Sequence, residues 1–385
     1  MAGYIMTLNS NEAMKNCIYN GVYGTILKEP TNYWRQQHEG TFADYATMKP
    51  GDNIYFFLER KIYGIGELIS INNNDCKFLN YPNSNKPINY DYDALKNELL
   101  FDESEESVNQ RWLCIFKPSP YFFEKGVDMD EVLAYKPSSF RSLRAFWKLS
   151  FIKLDDEENQ SLKDVLLKNN QFNLKAGNQI FDSNYNYSHE LISRKLNQGD
   201  YRLKPSDLLT YCMNETRLKH EMALELAILY QLSNSEPETI NLFGKWDYLS
   251  HQVVASPFKP IDYMDKMDIF GYKFIPGFNP TKSKFLVMEL KKDEAKVEDV
   301  DQLLKYVDWV KDEYAYGDYS MIDAYLVAFD FSREVIDCAK ENGIRKYTIG
   351  KRPVLSKEWS NINLIIYDFD ETKMAVKFRK IATEL

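Results

Sequence analysis

Between Asp268 and Tyr306 the chain places two carboxylates, a lysine, a glutamine and a tyrosine at spacings that could gather them at one sheet edge. Two carboxylates can hold a divalent cation such as Mg²⁺ or Mn²⁺, which takes oxygen ligands and fills its other positions with water and substrate phosphate. Such a cation stabilises charge developing on phosphorus and lowers the pKa of a bound water. A lysine beside it would orient that water or help deprotonate it, and would offset phosphate charge. The chemistry these residue types suggest is hydrolysis of a phosphodiester, with Asp268 and Glu289 as metal ligands and Lys291 assisting.

The elements that must position these groups are legible around them. Phe285-Leu286-Val287-Met288 is a short apolar run, bounded upstream by Pro276-Gly277-Phe278-Asn279-Pro280 and closed by Glu289-Leu290-Lys291, and it predicts a buried strand. Met267-Asp268-Ile269-Phe270 predicts a second strand, and the turn segment joins the two as a hairpin. That hairpin brings Asp268 beside Glu289 despite the 20 residues between them. Glu289 and Lys291 are two apart, so on a strand they share a face. Gln302 and Tyr306 lie one turn apart on a helix predicted over 296–314, and both reach the site if that helix packs behind the second strand.

Asp268, then Phe285 to Lys291, then Asp301-Gln302-Leu303-Leu304-Lys305-Tyr306-Val307 resembles the PD-(D/E)XK nuclease superfamily. The resemblance is closest to the NucS-like and RecB-like branches, where Glu-x-Lys precedes a helix carrying Gln-x-x-x-Tyr. It departs in one respect: Lys266-Met267 stand where a proline normally precedes the first Asp. The resemblance implies an Mg²⁺- or Mn²⁺-dependent endonuclease on a mixed sheet flanked by helices. It also implies a carboxylate on the helix before the sheet. Glu221 and Glu225, on one face of a helix predicted over 216–232, both qualify.

The first part of the chain is rich in strands and aromatic residues. Strands are predicted at 4–8, 53–58, 63–69 and 111–116, and helices at 128–135 and 138–147. Lys49-Pro50-Gly51-Asp52, entering Asn53 to Phe57, then Tyr63-Gly64-Ile65-Gly66-Glu67-Leu68, resembles the PUA-like fold and its EVE- and YTH-type members. The resemblance implies a β-barrel that holds an extruded base between aromatic faces, with Tyr33, Trp34, Arg111 and Trp112 where such domains place pocket residues. Stacking on an aromatic ring tolerates any base, whereas hydrogen bonds to the base edge select one.

The expected organisation is therefore α/β (α+β) in two domains: a sensor at 1–150, a polar helical connector at 151–203 and a nuclease at 204–385. The resemblances imply a DNA endonuclease, with RNA as an alternative substrate. The setting would be prokaryotic anti-phage defence, as in modification-dependent restriction or Shedu-type nucleases, or NucS-like repair. A reader that has lost catalysis is the non-enzymatic alternative. One site cuts one strand, so cutting both calls for two protomers, and a homo-oligomer is expected.

Composition excludes other classes. The five cysteines are scattered, with no Cys-x-x-Cys pair, and the four histidines are widely spaced, so neither a disulfide framework nor a zinc site is expected. No apolar run approaches the ~20 residues of a membrane span and no signal peptide is evident, which points to a cytoplasmic protein with no membrane partner. The formal net charge of −9 disfavours broad nonspecific binding of nucleic acid. Basic residues nonetheless cluster at Arg345-Lys346, Lys351-Arg352 and from Arg141 to Lys148.

Overall fold

The computed structural model of the chain describes residues 1–27, 32–72, 75–145, 150–214, 217–256 and 264–381. It divides into two units, Met1–Tyr211 and Cys212–Leu385, each a mixture of helices and sheet.

In the first unit the strands Asn53–Leu58 and Lys61–Leu68 form a hairpin whose two loop residues, Glu59 and Arg60, have φ of 51° and 63°. Positive φ at both loop positions is the turn whose twist matches that of the strands it joins. The sheet runs, in spatial order, through Val22–Ile26, Gln110–Lys117, Lys61–Leu68, Asn53–Leu58, Gly3–Thr7 and Phe151–Leu154. Among the described residues this path is open, its two end strands being unpaired with each other, whereas a barrel would close it.

The connector expected at 151–203 is instead part of this unit. Phe151–Leu154 pairs antiparallel with Gly3–Thr7. The helix Asp156–Asn169, capped by the Asp155 carboxylate, buries Leu162, Val165 and Leu166 against Ile5, Tyr55 and Ile65. Ile192, on the helix Tyr185–Leu196, joins Val22, Leu113 and Ile115 in a second cluster. A polar composition hid a few well-spaced apolar anchors, and the unit ends at Tyr211 rather than at 150.

The helix expected at 138–147 is one short turn at Leu143–Ala145, with 146 and 147 outside the described residues. Here Glu158 Oε1 accepts from the backbone N–H groups of Arg141 and Ser142 at 2.8 and 2.7 Å. A buried carboxylate holding backbone donors replaces helical pairing.

The second unit is built on a six-stranded mixed sheet, ordered Tyr248–Val254, Lys266–Phe274, Lys282–Leu290, Ile322–Ala328, Ile362–Asp370 and Ala375–Lys380. The first three strands are antiparallel to one another. Lys282–Leu290 then pairs in parallel with Ile322–Ala328. A parallel pair needs a crossover, and the helix Val297–Glu313 lies within it, packed on both strands. It buries Val300, Leu303, Leu304, Val307 and Val310, a 3–4-residue period. At roughly 1.5–3 kcal/mol for each such side chain, this face anchors the helix behind the sheet.

Candidate active site

The predicted hairpin forms. Ile269 pairs with Met288 and Phe270 with Val287, so continuing the register sets Asp268 opposite Glu289. Opposed residues of antiparallel strands share a face. The Leu290 backbone N–H donates to Asp268 Oδ2 at 2.7 Å, fixing one carboxylate against the strand that carries the other. Lys291 Nζ donates to Glu289 Oε1 at 2.6 Å. The three residues meet as their spacing requires.

Glu289 is fully buried, and its Oε2 has no hydrogen-bond partner among the described residues. A buried polar atom left unsatisfied costs free energy and calls for an explanation. Burial raises the Glu289 pKa to about 7, against the lowering effect of Lys291. Asp268 is also pushed well above the usual carboxylate range, first by burial and then by the charges of Glu289 and Glu225. Burial opposes the charge of Lys291, but Glu289 more than offsets this and holds its pKa above the ordinary lysine value. Lys291 is therefore an ammonium at neutral pH, a donor and a positive charge rather than a base.

On the crossover helix, Gln302 Nε2 donates to the Tyr306 hydroxyl at 2.8 Å. The Tyr306 pKa is raised, chiefly by burial and next by the charge of Glu289. Tyr306 thus lies close enough to the two carboxylates to feel their charge, and Gln302 is bonded to it.

Both helix carboxylates also border the cluster. The helix spans Glu221–Ser233, and the first residue of the predicted range, Thr216, is outside the described residues. Glu225 is buried in an otherwise apolar stretch and accepts from Gln252 Nε2 at 2.8 Å. Its Oε2 lies 3.2 Å from His251 Nδ1. Glu221 opens the helix, and its charge is felt at Glu289 and Lys291.

Two neighbours went unrecognised in the sequence. Gln252 Nε2 also approaches Asp268 Oδ1, at 3.3 Å, so one amide links Glu225 to Asp268. Gln252 achieves this in mid-strand with φ of 51°, a conformation uncommon for a non-glycine residue. Asp299 Oδ1 lies 3.7 Å from Lys291 Nζ. Asp299 reads locally as a helix-start acid, and its Oδ2 does accept from the Lys296 N–H at 2.7 Å. Gln252 gave no local signal. A lone Glu within Met222–Leu229 could have marked Glu225.

Replacing Gln252 by leucine should cost about 1–3 kcal/mol, because the buried Glu225 and the half-buried Asp268 lose their shared donor. Urea unfolding would measure this, and an unchanged midpoint would contradict the bridging role.

Among the described residues no group of three or more His, Cys, Asp and Glu side chains is arranged to hold a metal ion. A cation here would rest on two protein carboxylates, which is the habit of Mg²⁺, with waters and phosphate completing its shell. The unpartnered Glu289 Oε2 across from Asp268 fits that role.

The candidate base-binding residues of the first unit are placed differently from a stacking platform. Trp34 and Arg111 are 0% and 1% exposed, and Trp112 is buried. The Arg111 guanidinium sits 5.7 Å from the centroid of the Trp34 ring and donates to the carbonyls of Lys86 and Ile88. Phe42 stacks on Trp112 at 4.2 Å. Neither ring face is open to a base in this arrangement. Tyr33, 42% exposed, is the accessible member. Trp34→Ala should therefore cost about 3–5 kcal/mol in urea unfolding, whereas Tyr33→Ala should stay within about 0.5 kcal/mol of wild type.

No protein-family profile and no curated protein matches the chain. Among solved structures, it is similar to a repair endonuclease from Pyrococcus abyssi, at 26% identity and a TM-score of 0.18, over 26% of this chain and 35% of that one. It is also similar to EndoMS in a complex with double-stranded DNA, at 26% identity and a TM-score of 0.14, over 18% of this chain and 24% of that one. The chain thus spans about a third or less of the length of these proteins. A likeness of that extent leaves the functional reading to the geometry of the site. No helix among the described residues is long and apolar enough to cross a membrane.

Proposed function

We propose that the chain is a metal-dependent endonuclease that hydrolyses DNA phosphodiester bonds in its second unit. The observation that carries this reading is the unsatisfied, buried Glu289 Oε2 beside Lys291 on a strand whose backbone holds Asp268. Asp268 and Glu289 would hold Mg²⁺ or Mn²⁺, which supplies Lewis-acid stabilisation of charge on phosphorus and an activated water. Lys291, kept charged, would donate to a phosphate oxygen or to the attacking water and offset negative charge. Glu225, through Gln252, would hold Asp268 in register, and Gln302 would orient the Tyr306 hydroxyl. In the reaction, water oxygen bonds to phosphorus, the P–O bond to the leaving sugar breaks, and the leaving oxygen takes a proton.

The first unit would direct the enzyme by sensing a base or an unusual structure. Of seven buried side-chain polar atoms without a partner among the described residues, four belong to Asn85, Gln110, Arg111 and Trp112. Trp34 Nε1 donates to the Asn85 carbonyl, Arg111 covers Trp34, and Phe42 touches both Trp34 and Trp112, so the unmet atoms of Asn85, Arg111 and Trp112 share one neighbourhood. Tyr33, the accessible ring, would be the one to stack on a base. The defence setting and the homo-oligomer rest on the resemblance and on strand counting alone.

The test is cleavage of supercoiled plasmid with Mg²⁺ or Mn²⁺, using unmodified DNA, base-modified DNA and an RNA control. Metal-dependent nicked or linear product supports the reading. Binding without product on any substrate would sink it in favour of a reader.

A further inference from the structure

The strands Arg345–Ile349 and Leu355–Trp359 pair with each other as a two-stranded antiparallel ribbon separate from the main sheet. Its root is well held. Trp359 Nε1 donates to the Ile322 carbonyl at 3.0 Å, Tyr347 meets Tyr319 edge-on at 5.4 Å, and Arg345 Nε donates to Asp308 at 2.9 Å. Beyond that root every residue from Gly350 to Glu358 is exposed. From Arg345 to Trp359 the ribbon has five basic residues and one acidic one, Glu358, in a chain with 57 acidic and 48 basic residues. Glu358 stands opposite Lys346 in the register, whereas Lys351 and Arg352 at the turn make no ion pair among the described residues, and Val354 and Leu355 stand 58% and 54% exposed between the charges.

We propose that this ribbon is a DNA-binding arm that grips duplex flanking the cut, with Lys351, Arg352 and Lys357 on phosphates and Val354 and Leu355 toward base edges. Naming DNA rests on the nuclease reading; the arm itself rests on its own geometry and charge. Concentrated like charge on a protruding strand pair repels itself, and a polyanion relieves it while releasing its own counterions. A two-stranded ribbon is an element that the B-DNA major groove, ~12 Å wide, admits. The deep, narrow major groove of A-form RNA does not admit side chains in this way. Exposed apolar side chains among the charges can rest on thymine methyl groups.

The location suits flanking contacts. The root lies at Ile322, four residues before Leu326, the parallel partner of Glu289. At ~3.3 Å per residue the root is ~13 Å along the sheet from the carboxylates, or roughly four steps of ~3.4 Å along one DNA strand. The root of the arm is therefore set apart from the two carboxylates. Of the other basic segments, Arg141 to Lys148 runs partly outside the described residues.

The test uses the full chain in EDTA, so that binding is read without cleavage. Fluorescence anisotropy would follow a short mixed-sequence DNA duplex and an RNA duplex of the same length, with salt varied from about 50 to 200 mM. Lys351→Ala/Arg352→Ala/Lys357→Ala and Lys351→Glu/Arg352→Glu alter only exposed side chains, and thermal melting would check that both fold as the wild type does. The triple variant should bind the DNA duplex at least about tenfold more weakly, with the slope of log K against log salt reduced by ~2–3, near 0.9 per lost phosphate contact. Wild-type affinity and slope in the triple variant would overturn the arm, as would a wild-type preference for the RNA duplex or failure to bind any duplex. Ribbon-dependent binding without metal-dependent product keeps the arm and removes the nuclease reading. Metal-dependent cleavage with ribbon-independent binding does the reverse.

Discussion

Glu289→Gln should reduce metal-dependent DNA cleavage by at least roughly 10²–10³-fold, the scale seen when one preorganised electrostatic group is removed from an active site. The same substitution should leave the melting temperature unchanged or raised. The reason is that Glu289 burdens the resting fold. It is fully buried, one of its oxygens has no partner, and it faces Asp268, whose pKa it helps to raise. Glutamine keeps the shape and removes the like charge. Lys291 would retain Asp299, 3.7 Å away, and the charge of Glu221. Stability and activity then separate, as they do where a site is kept at the expense of the fold. Lys291→Ala should lose activity by a comparable factor, but it strips Glu289 of its one bonded cation. Plasmid cleavage rates beside calorimetric melting check both. Full activity in Glu289→Gln would falsify the metal-ligand role, and a collapse of its melting temperature would contradict the burden.

The second large effect links pH to metal. Glu289 titrates near pH 7 in the folded unit, above the ordinary glutamate value of 4.5, and Asp268 moves in the same direction. A carboxyl whose folded pKa is raised favours the fold most when protonated. That contribution is fully present below about 4.5 and is lost as pH rises through about 7. Without metal the second unit should therefore weaken between pH 5 and 8. A divalent cation binds the ionised pair and reverses the trend. At a hundred times its dissociation constant it adds ~2.7 kcal/mol, or roughly 5–10 °C at ~2–4 °C per kcal/mol. The gain should be large at pH 8, small at pH 5.5 and absent in Glu289→Gln. Melting curves with EDTA, Mg²⁺ and Mn²⁺ decide the matter, and an equal metal-induced shift at both pH values would count against it.

How far the site was legible follows from how local each relationship is. Asp268, Glu289 and Lys291 could be brought together on paper because a hairpin is a short-range device whose turn residues and apolar runs are printed in order. Gln302 and Tyr306 obey a helical period, so their shared face needed no tertiary knowledge. Gln252 was invisible. Its importance comes from an outer strand whose pairing sets it opposite Asp268 and beneath Glu225, some 27 residues away in the chain. The polar 151–203 segment misled for the opposite reason. Its average composition suggests a linker, but a few side chains such as Leu162 and Ile192 fill the core.

By itself, then, the sequence determined the hairpin, the Glu-x-Lys strand, the crossover helix and the basic clusters at Arg345-Lys346 and Lys351-Arg352, because periodicity and turn chemistry act over a few residues. Only the tertiary structure decided that Trp34, Arg111 and Trp112 are interior and Tyr33 is not. It alone joined Glu225 to Asp268 through Gln252, left Glu289 Oε2 unsatisfied and set the basic strands apart as a free-standing ribbon. Burial and unmet hydrogen bonds belong to the whole packed unit. No window of sequence contains them.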